Sequence, residues 1–189
     1  EVLIAEKTGE GDIVQWMRDR IDKEFGPRVI RSNEIDVEAF LRERIEALAA
    51  NFSSRKVDVV THYEKAPSTC IPSQVLQKVV DGLIRNAIEN TPDQGKIEIS
   101  LGTIGKGVEL KVKDYGVGIP AEDRKRIFEG FFPTQETMNY SSKRPYAFNA
   151  GGKGADLLRM KVFSERYGFH IDMVSERCRY ISEQGQVCP

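Results

Sequence analysis

Two asparagines, Asn86 and Asn90, stand at the edge of an otherwise apolar helical pattern. Their stretch, PSQVLQKVVDGLIRNAIENTPDQG from Pro72 to Gly95, repeats Val75, Leu76, Val79, Val80, Leu83, Ile84 and Ala87 at three- and four-residue steps. That spacing predicts one amphipathic helix packed on a core. At about 100° per residue, Asn86 projects to the border of the apolar stripe and Asn90 into it, beside Val79 and Leu83. An unpaired buried amide costs roughly 1–3 kcal/mol, so both side chains need partners. They line a polar ligand site, or serve as satisfied structural amides, or lie in a frayed last turn before Pro92. The helix alone leaves these open.

An acid raises the same question. Lys96 to Leu101 alternates, with Ile97, Ile99 and Leu101 on one face; Gly102 to Gly107 holds three glycines and reads as a hairpin connection; Val108, Leu110 and Val112 alternate in the returning strand. Continuing the period of two places Asp114 inward, where a lone carboxylate is costly unless it is paired or bound to a ligand. The run DYGVGIP follows. Gly116 and Gly118 can take positive φ and bring backbone close to a ligand, and Pro120 fixes the exit into the next helix. Further on, Asn149-Ala150-Gly151-Gly152-Lys153-Gly154-Ala155 runs directly into a helix from Asp156 to Tyr167, with Leu158, Val162 and Phe163 inward. Glycines at a helix start leave N–H groups free at its positive end, a ready phosphate site. Lys153 could add a charge there, or stay solvated.

These groups need a scaffold, and the remaining patterns supply one. A helix is predicted from Asp12 to Phe25 through Ile13, Val14, Trp16, Met17 and Ile21, ended by Gly26-Pro27. A second runs from Val37 to Asn51, and Lys56 to Glu64 reads as a strand that carries His62 on a surface or hydrogen-bonded position. Ser73 or Thr69 is available to cap the long helix. Ala121 to Glu129 is predicted as a short charged helix that ends in IFEGFFP, with Phe128, Phe131 and Phe132 crowded together. Thr134 to Asn149 is polar and aperiodic, and so long a loop in a compact domain is usually functional or disordered. Phe169, Ile171 and Met173 alternate as a strand with His170 on the exposed side, and Arg177 to Ser182 is its expected antiparallel partner.

The 189 residues suit one domain plus an appendage. With 40% hydrophobic and 30% charged residues, the balance is that of a soluble globular chain. A net charge of -1 argues against coating nucleic acid or an acidic membrane surface. No apolar run nears the roughly 20 residues of a membrane span, and no signal-peptide pattern opens the chain. Three cysteines, an odd number, argue against a disulfide framework and for a reducing cytoplasm. Because the chain opens on Glu1 rather than methionine, it is expected to be a piece of something longer, with room for a membrane tether elsewhere.

In their order and spacing these features resemble the ATP-binding catalytic domain of sensor histidine kinases, in the superfamily shared with type II topoisomerases, a heat-shock chaperone and mismatch-repair ATPases. LIRNAIENTP looks like the asparagine box, DYGVGIP the first glycine box, IFEGFFPT the phenylalanine box and GGKGADL the second glycine box. The resemblance covers Glu34 to Glu183. It implies an α/β two-layer sandwich, a mixed sheet of about five strands with about three helices on one face. Residues 1–33 become a connector from a missing upstream dimerisation and phosphoacceptor region, and residues 34–189 the ATP-binding catalytic domain. It further implies ATP and Mg2+ as ligands, the ion held by Asn86, and Asp114 accepting a hydrogen bond from the adenine amino group. Gly116 and Gly118 would let the loop pass under the base beside Ile119. Phe131 to Ala150 would form a lid, and Gly152 and Gly154 would offer N–H groups to the phosphates. Lys143, Arg144 and Lys153 are candidates for γ-phosphate contact, and Asn90, Phe132, Ala155 and Leu157 complete the nucleotide-contacting set. The implied partners are the acceptor domain and a response regulator, with the full-length protein a homodimer and this segment a monomer.

Departures from the family pattern carry information too. Gly82 replaces the first box asparagine, where related ATPases usually place a water-activating glutamate; glycine cannot act as a base, which disfavours hydrolysis and fits phosphoryl transfer. Glu89 stands where a basic residue is common and Asn90 where an aromatic is usual, which counts against phosphate contact from this helix. Asp156 replaces the last glycine of the second box, and would repel phosphates unless it points away or meets a cation. Three other readings share the motifs: an ATPase of the superfamily, a serine kinase of the anti-sigma type, and a degenerate domain that works by protein contacts.

Overall fold

The computed structural model describes residues 10–25, 34–124, 126–128, 145–148, 150 and 155–178. Its elements run α1 (Glu10–Phe25), α2 (Val37–Ala49) closed by a 3-10 turn (Ala50–Phe52), β1 (Asp58–Tyr63), α3 (Ser73–Asn90), β2 (Lys96–Ile104), β3 (Gly107–Asp114) and α4 (Ala155–Tyr167). The sheet is mixed. β1 lies parallel to β2, joined by the α3 crossover, and β2 pairs antiparallel with β3. The β2–β3 hairpin is tighter than the glycine run suggests: Gly102 and Gly107 lie within the strands, Ile104 pairs with Gly107, and the turn is Gly105-Lys106 with Gly105 at φ 59°. Only glycine takes that angle without strain.

α3 is the hub because it is apolar on two faces. Leu76, Val80, Ile84, Ala87 and Ile88 pack with Val37, Leu41 and Leu48 of α2 and with Ile97, Ile99 and Leu101 of β2. Val75 and Val79 face the other way, against Met17 and Ile21 of α1 and Leu158, Met160, Val162 and Phe163 of α4. Each fully buried Ile or Leu contributes about 1.5–3 kcal/mol relative to exposure. A bidentate ion pair, Arg44 to Asp81 at 2.9 and 2.7 Å, ties α2 to α3. α1 is bound by more than its apolar seam: Arg18 meets Glu165 at 2.9 Å, and Asp22 pairs with Arg166.

Several expectations are corrected. Three strands are found among the described residues, not about five. Residues 169–177 alternate in burial, with His170 exposed, and form no ladder with another described residue; the partner expected at Arg177 to Ser182 lies mostly outside the described residues. Phe169 N–H donates back to the Ser164 carbonyl at 3.2 Å, and Cys178 N–H donates to the Val117 carbonyl in the loop after β3 at 3.1 Å. The expected helix from Ala121 is a series of turns, with Asp123 N–H bonded to the Pro120 carbonyl and Arg126 N–H to that of Asp123; so short a segment does not overcome the cost of helix nucleation. α3 starts without a side-chain cap, Pro72 standing at that position, while Thr69 is engaged through its backbone with Ile35.

Candidate functional site

The polar edge of α3 forms one wall. Asn86 is half-buried, and its side-chain amide makes no hydrogen bond to another described residue. Asn90 is exposed rather than part of the apolar stripe, and its amide donates to the Asn86 carbonyl at 2.7 Å. The reason lies in the two-faced helix: the face of Val79 is covered by α1 and α4, and Asn90 is the last helical residue, with Ile88 and Glu89 buried before it.

The end of β3 forms a second wall. Asp114 pairs across the sheet with buried Ile97, so it does continue the core-facing side, but at the open end of the sheet it is exposed. Its carboxylate accepts from Gly116 N–H at 3.0 Å. The carboxyl itself is crowded by backbone, and lost hydration raises its pKa above the ordinary value, outweighing the opposing backbone hydrogen bonds. Gly116 is pressed onto the last turn of α3, where any side chain would collide with the Asn90 carbonyl, and Val117 N–H donates to that same carbonyl at 3.2 Å. Gly118 has φ 68° and lies against the backbone of Glu176. Ile119 N–H donates to Ser175 Oγ at 2.9 Å. Ser175 and Cys178 thus hold this loop, a role no periodicity in the sequence points to.

The third wall is the start of α4. Ala155 opens it, and Asp156 and Leu157 follow half-buried. Asp156 meets cations: it pairs with Arg85 of α3 and with Arg159 at 3.4 Å. Gly82 lies buried directly beneath the Met160 side chain, so the space of a larger residue is filled by α4. The structure therefore brings Asn86, Asn90, Asp114, Gly116, Gly118, Ile119, Ala155 and Leu157 onto three adjoining elements, while Phe132, Lys143, Arg144, Gly152, Lys153 and Gly154 lie outside the described residues. A cleft of about 280 Å³ between α1 and α4, lined by Arg18, Asp22, Val162, Glu165 and Arg166, contains none of these groups.

Two residues emerge that the sequence reading did not place here. Glu89 is buried, 3.9 Å from Arg85, and accepts from Tyr146 N–H at 3.3 Å. Burial pushes its carboxyl above the ordinary value and neighbouring Asp156 adds to the rise, against the pull of Tyr146 N–H and Arg85. Arg55, 9% exposed, donates to the Ile88, Thr91 and Tyr146 carbonyls and to Asp93.

A family model described as histidine kinase-, DNA gyrase B- and HSP90-like ATPase matches residues 72–187. Among curated relatives, the signal transduction histidine-protein kinase ArlS of Staphylococcus haemolyticus is 26% identical over 154 residues, covering 81% of this chain and 32% of its own. The chain thus spans about a third of the length of such a relative. Among solved structures, full-length ShkA in complex with AMPPNP superposes with a TM-score of 0.62 at 20% identity, covering 82% of this chain and 30% of that one. The catalytic domain of histidine kinase ThkA, also solved in complex with the response regulator protein TrrA, gives 0.59 at 22% identity over 74% of this chain and 84% of that one. These structures share the fold. With the family model covering more than half of the residues, the chain belongs to the histidine kinase-, DNA gyrase B- and HSP90-like ATPase family.

Proposed function

We propose that this chain binds Mg-ATP and transfers the γ-phosphate to a histidine on an acceptor domain outside it, from which the phosphate passes to an aspartate of a response regulator. The observation that carries this reading is the position of α3. Its polar edge is joined through Gly116 to the loop of Asp114 and through Arg85 to the first turn of α4, so a base-sized acceptor and a phosphate-favouring helix start flank the same amides. Asp114 would accept the adenine amino hydrogen. Gly116 and Gly118 keep side chains out of the base's path, beside Ile119. The N–H groups at the head of α4, with Gly152 and Gly154, would receive the phosphates, and Lys143, Arg144 and Lys153 would face the γ-phosphate.

The donor set suits magnesium. Asn86 offers an oxygen that no described side chain occupies, and among the described residues there is no cluster of three His, Cys, Asp or Glu side chains. A hard cation that keeps much of its water and takes the rest of its ligands from phosphate needs no such cluster. When bound, the ion would neutralise charge on the phosphates. Gly82 places no base at the position where related ATPases usually carry a water-activating glutamate, which favours transfer to a protein acceptor over hydrolysis.

ShkA with AMPPNP and ThkA with TrrA support the ligand and the downstream partner by analogy of fold. The chain is expected to place labelled γ-phosphate from ATP on a supplied two-helix histidine acceptor domain, giving an acid-labile, base-stable product. An acid-stable phosphoprotein would point to the serine kinase, and nucleotide binding without any transfer would contradict the transfer reading. Cytoplasmic placement and a homodimeric full-length protein belong to the same proposal; no described helix is long and apolar enough to cross a membrane.

A further inference from the structure

Tyr146 is held in a conformation a bulky residue rarely adopts. Its φ is 68°, in the left-handed region, where a side chain strains the backbone and persists only when its surroundings over-determine it. Here they do. Its N–H donates to Glu89 Oε1 at 3.3 Å, its carbonyl accepts from Arg55 Nη1 at 2.6 Å, and its ring lies 6.2 Å from that of Phe52. The two side chains that grip it also grip the end of α3. Glu89 belongs to that helix, and Arg55 Nη1 and Nη2 bind the Ile88 and Thr91 carbonyls at 3.2 and 2.6 Å, while Nε holds Asp93 at 2.7 Å. Such a planar fork of donors can serve four acceptors on three segments; a lysine cannot. From Glu89 the chain of contacts continues through Arg85 to Asp156 in the first turn of α4.

We propose that Glu89 and Arg55 are positioning residues of the nucleotide site, which lock the turn at residues 145–148 to the last turn of α3 and keep that turn in register with the start of α4. The proposal rests on the Mg-ATP reading above. It gives Glu89 a structural task on the phosphate side, and the cation absent from position 89 is supplied to this region by Arg85, one turn earlier on the helix. Neither residue needs to touch the nucleotide. Each acts through Tyr146 and the backbone of α3, where Asn86 and Asn90 stand.

Mg-ATP and adenosine affinities of the intact chain, measured beside thermal midpoints, test this. Glu89→Ala is expected to weaken Mg-ATP binding about tenfold, since small misplacements of phosphate-side groups are costly, while adenosine, held at Asp114, keeps its affinity. Glu89→Gln, which retains an acceptor for Tyr146 N–H, restores most of the Mg-ATP affinity; Arg55→Lys behaves like Glu89→Ala. Should Arg55→Lys fail to fold, the Glu89 pair decides alone. Equal losses for both ligands, or a lowered midpoint with unchanged Mg-ATP affinity, overturn the proposal and leave a merely stabilising role. Wild type that binds neither ligand overturns the nucleotide reading along with it.

Discussion

The Asp114 carboxyl stands where the core-facing side of β3 runs out into the open, with its pKa raised by lost hydration. The raised value means that the fold disfavours the ionised form, so no penalty applies at pH below the ordinary carboxylate range; the penalty grows as pH rises from the ordinary value to the raised one and is constant above it. Asp114→Asn, whose amide oxygen can still accept from Gly116 N–H, is therefore expected to match wild type in unfolding midpoint at acid pH and to exceed it at neutral pH, as thermal melts across pH would show. Asn86 makes a complementary case. Because its amide makes no hydrogen bond to another described residue, Asn86→Ala should alter stability by no more than about 0.5 kcal/mol in denaturant melts, while abolishing nucleotide binding in the presence of magnesium in the same preparation.

At the scale of elements, the glycines of the β2–β3 turn and of the loop after β3 separate two kinds of constraint. Gly105 needs its positive φ but has open space around it, whereas Gly118 combines positive φ with close contact to the Glu176 backbone. Gly118→Ala should cost about 2–3 kcal/mol or more, and Gly105→Ala about 1 kcal/mol; comparable losses in denaturant melts would refute the packing account. The pattern of legibility follows the same division. α2, α3, β2 and β3 were readable because their apolar residues recur at regular helical or strand spacing, and the order of Asn86, Asp114 and the α4 start along the chain pointed to a single site. Asn90 was misplaced because α3 serves two cores with different lengths of cover, a fact of tertiary packing. The strand expected at Phe169 to Met173 has the alternation, but most of its expected partner, Arg177 to Ser182, lies outside the described residues. Arg55 left no trace in the sequence, since its acceptors are backbone carbonyls far along the chain, at Ile88, Thr91 and Tyr146.

Over the whole molecule, α3 joins two apolar clusters, one against α2 and the sheet and the other against α1 and α4. The N-terminal helix read as a connector is thus packed on the same helix that carries Asn86. Met17 and Ile21 are its buried members, and Ile21→Ala is expected to cost about 2–5 kcal/mol by denaturant unfolding; a change within about 0.5 kcal/mol would show that α1 does not share the core in solution. The account as a whole depends on nucleotide binding at the edge of α3. Titration of the intact chain with a fluorescent ATP analogue in the presence of magnesium tests that most directly. The expected result is saturable binding by wild type that Asp114→Asn and Asn86→Ala each abolish while remaining folded. No binding by wild type at millimolar nucleotide, or undiminished binding by both variants, would contradict it.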